Sequence, residues 1–285
     1  ILVKTFELLK NSFPSQSDTL EDMGKKRQLL PHFEAYQVHV ENCPTIAPID
    51  LLAPLYLLMS DGYRDLGMPQ KEVNLLARVL AIQKQHYGAE NIEVASTLAS
   101  LGVAYGQLGD LKQMKDLLER ALVIQENHYG KEHFEVAATL TNLGIAFGRL
   151  GDQAKLQELF ERALPIQEKH YGPDHVEVAL TLSKLAITYR RLCIPTKLKE
   201  LLERALPILE KHYGPKHFKV AATLENLAIA YAHSGDFKKE KELLERALTI
   251  QEEHYGTEHF ELAGTLTSLA VVTGRFGDLK KDKEL

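Results

Sequence analysis

The sequence has no tryptophan and only two cysteines and four methionines in 285 residues. Cys43 and Cys193 stand too far apart in sequence, and are too few, for a disulfide framework, which points to a reducing, cytoplasmic setting. No window offers the roughly 18 unbroken apolar residues that a membrane span needs, and no charged segment followed by an apolar run opens the chain. An excess of positive charge is missing as well. Lys and Arg number 34 against 39 Asp and Glu, a net charge of -5 that argues against nucleic acid, whose phosphate path asks for clustered cations. With 45% hydrophobic and 26% charged residues, the chain reads as a folded protein with a core. Its first residue is Ile1, not Met, so further sequence is expected upstream.

The motifs of common enzyme chemistries are also lacking. The run from Gly62 to Gly67 has glycine spacing but continues with Met68, not the Lys-Ser/Thr that phosphates require, and there is no His-Glu-x-x-His or Gly-x-Ser-x-Gly. His39 and Cys43 at a spacing of four do not make an activated thiolate. Glu158 and Glu161 read as solvated carboxylates on an outward helix face. The expectation is therefore a non-enzyme without a cofactor. Histidine is abundant, twelve in all, and recurs in pairs: His128 and His133, His170 and His175, His212 and His217, His254 and His259. A metal needs three or four converging ligands, and each pair supplies two. The pairs read as structural, with His beside a helix end meeting terminal carbonyls, and no metal is expected.

What the chain does have is a repeat. Tyr-Gly stands at Tyr87, Tyr129, Tyr171, Tyr213 and Tyr255, each 42 residues after the last. Gly-Asp follows the same period at Gly109, Gly151, Gly235 and Gly277, with Gly67 in register one unit earlier. Where one such pair is due, Cys193-Ile194-Pro195 stands instead, and a distorted turn is expected there. Between these marks lie two stretches of helical periodicity per unit, such as Val94 to Leu108 and Leu111 to His128, so each unit is a helical hairpin. The Gly-Asp pair suits the turn inside it, Gly for a left-handed backbone and Asp to cap the second helix. Pro165 and Pro207 fall inside second helices and are expected to bend them.

The first helix carries Leu98, Leu101, Gly102 and Tyr105, repeated as Leu140, Leu143, Gly144 and Phe147, as Leu182, Leu185, Ala186 and Tyr189, and as Leu224, Leu227, Ala228 and Tyr231. These four share one helix face and are expected to pack within their own repeat. The second helix keeps Ala121, Ala163, Ala205 and Ala247. This pattern resembles the tetratricopeptide repeat (TPR), and the 42-residue period with Tyr-Gly-x-x-His is similar to the longer units of kinesin light chains. The chain departs from the family early in the second helix, where a small residue is replaced by Met114, Leu156, Leu198 and Glu240. The resemblance implies an all-α fold, a right-handed α-α superhelix of stacked helical hairpins. Residues 52–285 would form six units, the last cut short at Leu285, so that Asp282 to Leu285 belong to the start of a second helix and not to a retention tail. Residues 1–51 would form a helical cap with a degenerate repeat around Leu29 to Tyr36.

The resemblance also places the free face of the first helix on a concave groove that holds a protein or peptide ligand. Val103, Ile145, Ile187, Ile229 and Val271 would form its apolar floor. Beside them runs a polar to basic row: Asn142 with Arg149, Lys184 with Arg191, Asn226 with His233, and Arg275. Gly106, Gly148, Ala232 and Gly274 would leave room for a ligand backbone, while Arg190 fills that position in one unit. Asn142 and Asn226 can bond to an extended backbone, and Arg149, Lys184, Arg190, Arg191 and Arg275 can pair with carboxylates, which makes an acidic segment the expected ligand. The competing reading of each cation is a solvated face. The alternative function is a sensor or regulatory array within a larger signalling NTPase or motor adaptor.

Overall fold

A computed structural model describes residues 2–14, 20–42 and 48–283. Cys43 and the last two residues lie outside the described residues. Thirteen helices and no strand occur among the described residues. The chain packs as two compact units, 1–155 and 156–285.

The first unit opens with α1 (Leu2–Ser12), α2 (Leu20–Glu41), α3 (Pro48–Asp65) and α4 (Pro69–Tyr87). Phe6, Phe13, Leu30, Phe33, Leu55, Tyr56 and Met59 form a shared core among the first three. Lys26 is 2% exposed there, paired with Asp65 at 2.5 Å and lying over the Phe13 ring. Then follow α5 (Ile92–Leu108), α6 (Leu111–Tyr129) and α7 (Phe134–Arg149), with α8 (Gln153–Tyr171) starting as the unit ends. Val94, Ala95, Leu98 and Ala121 are fully buried where α4, α5 and α6 meet, which is the signature face working as sequence periodicity requires.

The second unit runs from the body of α8 through α9 (Val176–Arg191), α10 (Pro195–Tyr213), α11 (Phe218–His233), α12 (Phe237–Tyr255) and α13 (Leu262–Lys283). Leu182, Ala186, Leu224 and Ala205 are buried to 1% exposure or less. Pro165 and Pro207 stand inside α8 and α10, which run on through them. Tyr189 and Tyr231 do more than pack within their own hairpins. Each donates its hydroxyl to a carboxylate on the preceding second helix, Tyr189 to Glu161 and Tyr231 to Glu203, so Glu161, exposed as expected, is also a partnered acceptor. Thr265 likewise donates to Gln251 at 2.7 Å, as Thr97 does to Gln83 at 2.6 Å in the first unit. Where Leu209 replaces that glutamine, Thr223 turns back to the carbonyl of Lys219 on its own helix.

The linker chemistry explains the 42-residue marks. Gly130, after α6, has φ 84° and ψ 163°, a conformation essentially confined to glycine. It swings the chain so that Tyr129 stacks on His133 at 4.2 Å. His133 is the N-cap of α7, and its Nδ1 accepts the backbone N–H of Glu135. His175, His217 and His259 do the same for Glu177, Lys219 and Glu261. Asn91 takes this role at α5 through its Oδ1. The second histidine of each pair is thus an amide acceptor at a helix start, not a partner of terminal carbonyls. The sequence expectation had the right location and the wrong end of the helix.

The turn inside the hairpin behaves as expected at Gly109, which is left-handed, with Asp110 accepting the N–H of Gln113. At Cys193 the turn is not distorted. Cys193 adopts φ 56°, and its N–H and that of Ile194 bond to Arg190 and Tyr189 as Gly109 and Asp110 bond to Gly106 and Tyr105. The helix ends demand the same loop, and a cysteine carries the left-handed strain. A second departure lies at Gly277-Asp278, where a turn was expected and α13 continues as helix to Lys283.

Two outcomes follow. Cys193→Gly combined with Ile194→Asp rebuilds the Gly-Asp turn and should add about 1–2 kcal/mol, from relief of left-handed strain and a new cap; a urea midpoint at or below that of the unchanged protein would contradict this. Burial first, then Lys219 and His254, hold the His217 imidazole below its usual pKa. Its contribution is therefore full above the unfolded value and lost as pH falls through the folded one. His217→Asn, which copies Asn91, should lessen the drop in denaturation midpoint between about pH 7.5 and about pH 5.5.

Candidate functional site

The free faces of the first helices present the expected floor in each unit. In the first, Val103 on α5 and Ile145 on α7 are half-buried, as is Asn142. Arg149 is exposed, but its Nη1 donates to the carbonyl of Gly106 at 2.7 Å, an oxygen that also closes the α5 turn by accepting from Gly109. One of its donors is thus committed to tying α7 to the end of α5. Gly106 leaves no room for a ligand backbone. It is buried, and a Cβ placed there would meet the Met114 Sδ at 2.5 Å, because the thioether fills the space expected to be open.

In the second unit Ile187 on α9 and Ile229 on α11 are half-buried, and Val271 on α13 is 48% exposed. Lys184 is half-buried too. Burial pushes its ammonium below the usual lysine value, Lys219 adds to this, and Glu177 opposes it. Arg190 donates Nη1 to the Oδ1 of Asn226 at 2.8 Å, and Asn226 in turn donates Nδ2 to the carbonyl of Ala222 at 2.8 Å. The amide expected to greet a ligand backbone is therefore half spent within the protein. Arg191 is exposed.

Ile229, His233 and Arg275 come together in one cavity of about 390 Å³ between α11, α12 and α13, with Val271 and Glu240 in its wall. The Arg275 guanidinium lies 5.4 Å from the centre of the Phe237 ring. Glu240 was not among the expected lining residues, although the 42-residue register flagged it as the charged residue among Met114, Leu156 and Leu198. It is 6% exposed. Among the described residues no three His, Cys, Asp or Glu side chains converge as metal ligands, and no helix is long and apolar enough to cross a membrane.

The model of the tetratricopeptide repeat family matches residues 93–169 and 196–253. The repeats in those two stretches match tetratricopeptide repeats, and the helical hairpins have the fold of a tetratricopeptide-repeat solenoid. Among solved structures it is similar to a kinesin light chain-like protein of Podosopora anserina with nearly identical TPR-like repeats, at 27% identity and a TM-score of 0.61 over 75% of this chain and 100% of that one. It shares its fold with BtubC (BKLC) from P. vanneervenii, at 20% identity and a TM-score of 0.63, covering 90% of this chain and 94% of the other. The same holds for a signal transduction ATPase with a tetratricopeptide repeat sensor from Pyrococcus horikoshii, at 15% identity and a TM-score of 0.65 over 97% of this chain and 45% of that one. A search of curated proteins gives no match. The TPR hairpins, their 42-residue spacing and the kinesin light chain-like linker thus agree between sequence and structure.

Removing the Arg149 side chain should destabilise the TPR array by about 1 kcal/mol, the worth of an outlying charge-assisted hydrogen bond, with Lys recovering part of it. Thermal unfolding of Arg149→Ala and Arg149→Lys checks this; an unchanged midpoint in both would mean that the Gly106 contact contributes nothing.

Proposed function

We propose that the TPR chain is a protein-interaction scaffold that holds an extended peptide on the free faces of its first helices, and that it does no catalysis. One observation carries the reading. Apolar side chains recur at one register position, Val103 and Ile145 in one unit and Ile187, Ile229 and Val271 in the other, and none of them is fully buried. A TPR array with no ligand has no internal reason to leave such a row accessible in every repeat.

Acidic selectivity is strongest on α9 and α11. Lys184 sits half-buried beside Lys219, and a ligand carboxylate placed there would restore the charge balance that burial works against. Arg191 stands about two helix turns away on the same edge, two positions from Tyr189 in the last turn of α9, and supplies a bidentate donor. Asn142, Ile145 and Arg149 form the corresponding face of the first unit, with Arg149 contributing the donors that Gly106 does not use. Residues 1–51 act as the cap and 52–285 as the repeat array, in a reducing, cytoplasmic setting without nucleic acid as partner. A sensor array in a larger signalling protein would use the same face, and the likeness of fold to a TPR sensor is compatible with that role.

Binding of two peptide pools, one rich in Asp and Glu and one neutral, tests the reading. The acidic pool should bind more tightly, weaken with added salt, and lose about tenfold in affinity on Lys184→Ala with Arg191→Ala, since each desolvated pair contributes on the order of 1 kcal/mol or somewhat more. Equal affinity of the variant and the unchanged protein would remove the acidic selectivity from this face.

A further inference from the structure

Positions 72, 114, 156, 198 and 240 are equivalent, 42 residues apart in the fourth turn position of each second helix, and are occupied by Glu, Met, Leu, Leu and Glu. All five are buried. At the three apolar positions the side chain fills the space between helices, as Met114 does against Gly106. The two glutamates need a different solution, because a carboxylate taken out of water without a partner costs several kcal/mol.

The first unit shows what that solution is. Glu72, fully buried, accepts the Nε of Arg64 at 2.7 Å through its Oε1, and Arg64 comes from the end of the neighbouring first helix. The residue equivalent to Arg64 beside Glu240 is Ala232, four repeats later in register. No other guanidinium bonds to Glu240 among the described residues. Among the described residues no hydrogen bond reaches the Glu240 side chain; Oε2 is buried and unbonded in both glutamates, so the two differ at Oε1, which Arg64 engages in Glu72 alone. Where the arginine would lie there is a cavity of about 390 Å³, lined by Ala232, Ile229, Thr267, Ser268 and Val271, with Glu240 in its wall. Arg275 at the edge acts on Glu240 through space but makes no ion pair with it among the described residues, and rests over the Phe237 ring.

We infer that this cavity is a pocket for a cationic side chain, an arginine or lysine of the bound peptide, which takes the place over Glu240 that Arg64 takes over Glu72. The inference rests on the groove reading above and specifies one residue of the ligand. Ile229 and Val271 cover the aliphatic stem of such a side chain, while the hydroxyls of Thr267 and Ser268 can accept the guanidinium protons that Glu240 does not. Burial raises the Glu240 carboxyl, opposed by Arg275, so an arriving cation also holds the carboxylate ionised. Combined with Lys184 and Arg191 on α9, the face would select a peptide that is acidic at one end and carries a single basic anchor towards α13.

The test uses the whole chain and two synthetic decapeptide pools, random except for one fixed position that holds arginine in one pool and norleucine in the other. The arginine pool should bind about tenfold or more tightly than the norleucine pool, as expected for a buried charge pair. Glu240→Leu should erase the difference while keeping the fold, because leucine already occupies the equivalent positions 156 and 198. Ala232→Arg should erase it too, by supplying in cis the guanidinium that Arg64 provides, and should raise the melting temperature. Equal binding of the two pools to the unchanged protein, or a preference for arginine that survives Glu240→Leu, would overturn the proposal. The norleucine pool read against Lys184→Ala with Arg191→Ala separates the two claims: a loss there without any arginine preference leaves the groove and removes the pocket. Failure of both pools to bind removes both.

Discussion

Every first helix from α5 onward begins on a side-chain acceptor laid down by the linker before it, and the array depends on that cap. A helical hairpin of about 35 residues cannot bury its apolar stripe alone, so it is stable only when the next hairpin arrives at a fixed angle and register. The linker supplies both in five residues. The tyrosine ends one helix, glycine turns the chain through a conformation closed to other residues, and histidine or asparagine takes up an orphan amide of the next helix. Stacking of Tyr129, Tyr171, Tyr213 and Tyr255 on the capping imidazole four residues on fixes the ring and so the acceptor. The same geometry, repeated every 42 residues, produces the same face each time.

Once register is set, polar side chains divide between holding neighbours together and facing outward. Tyr189 and Tyr231 reach back to a glutamate, Thr97 and Thr265 to a glutamine, and Arg204 and Arg246 to Glu168 and Glu210. The threonine–glutamine bonds are buried, the ion pairs are exposed or half-exposed and individually small, and the buried Leu and Ala positions contribute most of the stability. Their value is directional: they spend hydrogen-bonding capacity on the repeat boundaries and leave the floor of Ile187, Ile229 and Val271 as the accessible apolar surface of the second unit. Lys84 shows the limit of the pattern, since it stands where Glu168 and Glu210 do, and burial first, then the charge of Arg120, lowers its pKa.

Helix positions, the turn at Gly109 and the buried signature residues were legible in the sequence because each rests on chemistry within a few residues: periodicity, a left-handed glycine, an aspartate cap. The linker histidines were legible in place but not in role, because cap and carbonyl partner lie only two or three residues apart in sequence. What could not be read were bonds across a repeat boundary. Arg149 and Asn226 looked equally available to a ligand, and only distances between consecutive first helices reveal that Gly106 and Arg190 engage them. Cys193 was misread for a related reason. Local propensity argued against a left-handed cysteine, but the helices on either side impose the turn. Glu240 needed both kinds of information, the register to mark it as unusual and the structure to show that Ala232 leaves it unpaired.

The face that meets a partner can be read directly from isoleucine methyl groups. Ile145, Ile187 and Ile229 lie on the proposed face of first helices, whereas Ile124, Ile166, Ile208 and Ile250 lie on second helices. In methyl-labelled protein titrated with the acidic peptide pool, the first set should shift and the second remain in place. Shifts confined to the second-helix set would show that the array binds through its other surface, and would contradict the account.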